Sequence, residues 1–110
     1  NLALKTENTS NDLATNAEYS VNGSKVEVRA ITAAQINDGA FATFKLLNTS
    51  IGVNDVVVGG LNGSHSNTNM SGSIVTATVI AAKTASVFIY NETGGAIAAD
   101  TPFTASFVVL

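Results

Sequence analysis

One histidine, eight carboxylates and no cysteine are the groups on which acid–base, nucleophilic or metal chemistry would have to rest. His65 stands between Ser64 and Ser66 in "NGSHSNTN", so an imidazole base and two hydroxyls are close in sequence. A catalytic triad also needs a third group to orient the base and a scaffold to hold the nucleophile, and a run of Gly, Asn and Ser offers neither. His65 is read as a solvated loop histidine. A carboxylate pair would serve glycoside hydrolysis, yet Asp12, Glu18, Asp38, Asp55, Glu92 and Asp100 show no spacing that brings two to one side of one element. Asp38 and Asp55 fall at strand or turn boundaries, where Asp commonly accepts bonds from nearby backbone N–H groups. Capping is the role expected of both.

Metal and nucleotide signals are equally thin. "NDG" at 37–39 and "NETGG" at 91–95 lack the oxygen ligands at fixed offsets, closing on Glu, that a calcium loop requires. "VVVGGLNGS" is glycine-rich after a strand, but it has no phosphate-loop lysine and opens no helix. The absence of cysteine removes disulfides, thiolate metal sites and cysteine nucleophiles together. Asn-X-Ser/Thr sequons at Asn8, Asn22, Asn48, Asn62, Asn69 and Asn91 follow from a composition rich in Asn, Ser and Thr. They imply glycans only in a eukaryotic secretory setting. The expectation is a protein that is not an enzyme and holds no cofactor or metal.

Charge narrows the partners. The net charge is −3, and the five basic residues Lys5, Lys25, Arg29, Lys45 and Lys83 are scattered. Neither nucleic acid nor an anionic membrane is therefore expected as a partner, since both require clustered Lys and Arg. No stretch approaches the roughly 20 apolar residues of a membrane helix, and no signal peptide is read. A start at Asn1 without Met suggests that an upstream segment was removed or belongs to a longer parent.

These residues must be positioned by a single domain, since 110 residues support one core and not two. Residues 1–17 are polar after Leu4, show no periodicity, and are expected to form a flexible N-terminal arm ahead of a domain spanning 18–110. "EYSVNGSKVEVRAI" has two β-prone runs about Asn22-Gly23, a strong hairpin signal. In the second run Val26, Val28 and Ala30 alternate with Lys25, Glu27 and Arg29, giving one buried and one wet face. "ITAAQIND" has room for one helical turn. "FATFKLLN" puts Phe44 and Leu46 on one side of a strand, and "VNDVVV" is too β-branched to prefer a helix.

Residues 59–73, "GGLNGSHSNTNMSGS", read as a long exposed loop tolerant of substitution. "IVTATVIAA" and "ASVFIY" are strands joined near Lys83-Thr84, and "FTASFVVL" is a last strand begun by Pro102. In that strand Phe103, Ala105, Phe107 and Val109 alternate with Thr104, Ser106, Val108 and Leu110, so its second half is apolar on both sides. Seven or eight short strands at this spacing predict an all-β antiparallel sandwich, jelly-roll or immunoglobulin-like. A two-sided apolar strand suits the middle of a sheet or a subunit interface. Val108 and Leu110, with Leu2 and Leu4 of the arm, are the candidate interface residues.

"AQINDGAFATFKLLNTSIGVNDVVV", the Gly/Asn/Ser loop and "SIVTATVIAAKTASVFIYNETGGAIAADTPFTASFVVL" together resemble small β domains of tailed-bacteriophage virion proteins, marine and cyanobacterial phages included. The shared pattern is an Ile-Asn turn before a Phe strand, the turn at Asn48, Ser50 and Ile51, Asp55 with Val57, the strand pair ending in Tyr90-Asn91, and the terminal Phe-x-x-x-Phe-Val-Val strand. It covers residues 34–110. The resemblance implies a structural protein of the virion surface, either capsid decoration or fibre and knob, whose partners are major capsid or tail proteins. It also implies a homo-oligomer, a trimer or a ring. A carbohydrate-binding or adhesin module of a bacterial surface is the alternative. Against it, two Tyr and five Phe are few for a sugar-binding face, and most occupy alternating core positions.

Overall fold

The structure, a computed structural model, describes the backbone of residues 4–13, 17–62 and 68–110 and the side chains of 18–62 and 69–110. The chain forms strands β1 (Leu4–Leu13), β2 (Ala17–Ser20), β3 (Lys25–Thr32), β4 (Phe41–Leu47), β5 (Val57–Leu61), β6 (Ile74–Ala81), β7 (Thr84–Tyr90) and β8 (Pro102–Val109). A single helical turn, α1 (Thr68–Ser71), lies between β5 and β6. Two four-stranded sheets result, ordered β1-β3-β8-β5 and β2-β4-β7-β6. The fold is an all-β sandwich. Four strand pairs are antiparallel, β3–β8, β5–β8, β4–β7 and β6–β7, whereas β1–β3 and β2–β4 are parallel.

Alternation supplies the core. β3 turns Val26, Val28 and Ala30 inward, β4 Phe44 and Leu46, β7 Ala85, Val87 and Ile89, and β8 Phe103, Ala105 and Phe107. The layers interlock through rings: Tyr19 meets Phe44 edge-on at 5.0 Å, and Phe44 meets Phe107 of the opposite sheet at 6.2 Å. Beside Phe107 the chain has Gly59, and a Cβ there would lie 2.4 Å from the ring. Only glycine lets β5 pair alongside β8 at that point.

The polar turns are pinned by two buried asparagines. Asn48 Oδ1 accepts from the Gly23 and Ser50 N–H groups while its amide donates to the Gly23 carbonyl. Asn91 donates to the carbonyls of Ile36 and Gly95, both at 2.8 Å, and accepts from the Thr93 hydroxyl. Both sequon asparagines are thus consumed internally. Asp38 accepts from Gly94 N–H and Asp55 from Gly52 N–H, the capping role expected of them.

Several expectations are corrected. The Asn22-Gly23 turn closes no hairpin, because β2 and β3 belong to different sheets. Tyr19 and Val21 reach the core from one layer and Val26 and Val28 from the other, so the turn carries the chain between layers, with Val21 N–H bonded to the Leu47 carbonyl. The supposed arm contains β1, which adds to β3 with Leu4 opposite Lys25 and a register shift between Asn8 and Asp12. Main-chain groups at an open edge can pair without any side-chain periodicity, so pattern reading passed over it.

"VNDVVV" divides into a turn and the start of β5, which continues through Gly59 and Gly60 to Leu61. The stretch 59–73 is not wholly exposed either, since Met70 on α1 is buried in the core. "ITAAQIND" forms no helical turn; Ile36 instead makes an antiparallel bridge with Ile97. Glu27, placed on the wet face, is only 8 % exposed, its carboxylate bonded to Arg29 at 3.0 Å and to the Asn62 amide at 3.1 Å.

Two substitutions test this account by chemical denaturation. Asn91→Ala removes the amide bonds to the Ile36 and Gly95 carbonyls and the acceptor for the Thr93 hydroxyl, loosens the 91–95 turn, and should cost about 1–3 kcal/mol. Met70→Ala leaves a cavity and should cost about 2–5 kcal/mol, against the near-neutral result of a truly solvated loop.

Candidate functional site, an apolar face on one sheet

Because side chains alternate, burying Phe107 and Val109 sends Val108 and Leu110 to the other side of β8. β5 obeys the same parity. Val57 faces the core, while Val56 before it and Val58 within it are exposed. Val58 is the cross-strand partner of Val108. Leu110 and Val56 exchange two main-chain bonds, Leu110 N–H to the Val56 carbonyl at 2.8 Å and Val56 N–H to the Leu110 carbonyl at 3.2 Å. Two stacked aliphatic pairs, Val58–Val108 and Val56–Leu110, therefore stand side by side on the outer surface of the sheet. Val58 is 52 % and Leu110 70 % exposed.

The register also sets the rim. Val108 lies opposite Lys25 of β3, and Lys25 lies opposite Leu4 of β1, so Leu4, Lys25, Val108 and Val58 occupy one row across the sheet. The side chain of Leu4 and all of Leu2 lie outside the described residues, as does His65. Two of the four candidate interface residues are thus brought together with two valines that sequence reading had not singled out. The signal was available: "VVV" at 56–58, like "FVVL" at 107–110, is apolar at both parities, which one-sided burial does not require.

The outer surface of the other sheet carries a second cluster. Phe41, Phe88 and Tyr90 approach one another at ring-centroid distances of 5.4, 5.6 and 5.9 Å. Four of the seven aromatic residues, Tyr19, Phe44, Phe103 and Phe107, fill the core as expected of most of them, and the other three face outward.

Acid–base chemistry finds no comparable assembly. Among the described residues no three His, Cys, Asp or Glu side chains form a metal-binding group. An open groove of about 310 Å³ runs between Val53–Val57 and Ala77–Val79, but its single carboxylate, Asp55, is bonded to Gly52 N–H at 2.7 Å. No helix among the described residues is long and apolar enough to cross a membrane. No family model matches the chain, and no curated protein or solved structure matches it.

Opposite responses are expected from neighbouring residues of β8. Phe107→Ala removes a fully buried ring and should cost about 3–5 kcal/mol, a large share of the roughly 5–15 kcal/mol that holds a domain folded. Val108→Asp places its carboxylate on the outer surface opposite Lys25 and should cost about 1 kcal/mol. Thermal unfolding of the two variants checks the parity of the strand.

Proposed function

We propose that this chain is a structural protein of a tailed-bacteriophage virion surface, acting through contacts with other virion subunits and not through catalysis. The observation that supports it is the outward aliphatic face of Val56, Val58, Val108 and Leu110. Exposed aliphatic groups gathered on regular strands gain roughly 25 cal/mol for each Å² of apolar surface that a neighbour covers. The virion setting rests on the resemblance of residues 34–110. Major capsid or tail proteins are the partners in this reading, and a trimer or ring of this chain is the assembly that a closed symmetry favours.

A glycan-binding adhesin is the second reading, supported by the outward cluster of Phe41, Phe88 and Tyr90. Aromatic side chains offer apolar contact area with, for Tyr90, a polar tip.

Peptide mass spectrometry of purified virions, with electron microscopy of particles labelled by an antibody to this chain, tests the first reading. The chain should appear on the surface at a stoichiometry set by the particle's symmetry, and Val108→Asp should reduce its incorporation. A chain absent from every particle rejects it. The second reading instead requires retention on immobilised polysaccharide that is lost in Tyr90→Ala.

A further inference from the structure

β6 ends its sheet, paired with β7 alone among the described strands. An open edge presents a row of N–H and C=O groups, and natural sheets blunt such edges with charge, brevity or irregularity. The other three edge strands show charge or brevity, whereas β6 shows only the irregularity between Val79 and Ala81 at its end. β1 carries Lys5, Glu7 and Asp12; β2 is four residues long and holds Glu18; β5 is five residues long with two glycines. β6, Ile74-Val75-Thr76-Ala77-Thr78-Val79-Ile80-Ala81, has eight residues and no charge, proline or glycine. Its outward Ile74 and Ile80 are 51 % and 54 % exposed.

The order of residues on this edge says what would cover it. From Ile74 to Ile80 the chain reads identically in both directions, with Ala77 at the centre. We propose that two copies of this chain pair antiparallel through β6, about a twofold axis at Ala77, joining two four-stranded sheets into one of eight. In that register Ile74 meets the partner's Ile80, Val75 the partner's Val79, Thr76 the partner's Thr78, and Ala77 its own copy. Every contact is between like side chains, as a self-complementary twofold interface favours, and Thr–Thr and β-branched pairs are stabilising across strands.

Parity agrees as well. Ile74, Thr76, Thr78 and Ile80 remain outward in both copies, and Val75, Ala77 and Val79 remain on the core side. A slip of one residue would turn Ile and Thr against the inner set. A slip of two would set Ile beside Thr. The register irregularity towards β7 falls between Val79 and Ala81, at the end of the strand, and leaves the Ala77 centre regular. On the outer face Ile74 already sits opposite Tyr90, which is opposite Phe41, so the partner's Ile80 extends an existing apolar row.

This pairing goes beyond the proposed virion role and uses the edge of the other sheet, separated from Val56 by the groove between Val53–Val57 and Ala77–Val79. Light scattering after size exclusion, at concentrations up to about 1 mM, should give twice the 11.2 kDa monomer mass, or a larger even multiple where the trimer or ring of the virion reading also forms. Thr76→Lys with Thr78→Lys opposes ammonium groups at both Thr76–Thr78 contacts and should return a folded monomer by circular dichroism. Thr76→Lys with Thr78→Glu sets opposite charges together at the same contacts and should restore the dimer. Val108→Asp should leave this dimer intact, which separates the pairing from the virion reading. A wild-type monomer at every concentration overturns the proposal without recourse to any variant. So does a dimer indifferent to the double lysine change, and loss of the dimer in both charge variants rules out the Ala77 register.

Discussion

The contact of the Phe107 ring with the bare Cα of Gly59 is the constraint from which most of this molecule follows. A side chain at position 59 would begin 2.4 Å from the ring, so either the ring leaves the core or β5 leaves β8. With glycine there, the ring stays inside and meets Phe44 of the facing sheet, which in turn meets Tyr19. One row of rings thereby ties β8, β4 and β2 together. It also sets the parity of two strands at once. Phe107 inward requires Val108 outward, and Val57 inward requires Val56 and Val58 outward. The aliphatic face is the reverse side of the core, and no change at the core could move it without moving the strands.

Around that apolar centre the polar economy is unusual for so weakly charged a chain. Only 12 % of residues are Asp, Glu, Lys or Arg, and the described residues show one ion pair, Arg29–Glu27. Neutral amides do the fastening in its place. Asn48 fastens the crossing between layers through the Gly23 N–H and carbonyl, and Asn91 fastens the Ile36–Ile97 bridge at the end of the sandwich by bonding the Ile36 and Gly95 carbonyls. No buried side-chain nitrogen or oxygen among the described residues lacks a partner. A buried amide supplies donor and acceptor together without the desolvation cost of an ion, which suits turns flanked by apolar strands.

The outer surfaces divide by chemistry. The sheet containing β8 shows aliphatic pairs with Lys25 at their border, and the facing sheet shows an aromatic cluster that leads to the β6 edge. Each surface offers a different contact, one by side chains across a face and one by main chain along an edge. A structural subunit of a particle needs more than one such contact to be held in a lattice.

Alternation of apolar residues was legible without any structure, because period two is a local property. Phe44 with Leu46, the inward set of β3, and Phe103, Ala105 and Phe107 all stand where the pattern put them, and the fold class followed from their spacing. The capping role of Asp55 was local too, since it accepts from Gly52 N–H three residues back, whereas Asp38 caps the distant Gly94 N–H. What depended on distance along the chain was not legible. Asn22-Gly23 has hairpin composition, yet burial of Tyr19 and Val26 from opposite layers decided that it should cross instead. β1 has no pattern at all and exists through main-chain pairing with β3, a partner about twenty residues away by the register Leu4 to Lys25. Gly59 looked like the start of a loop until Phe107 stood beside it. Composition and periodicity determine which residues seek burial; the pairing of strands, settled by close packing between residues far apart in sequence, decides which of them are left facing out.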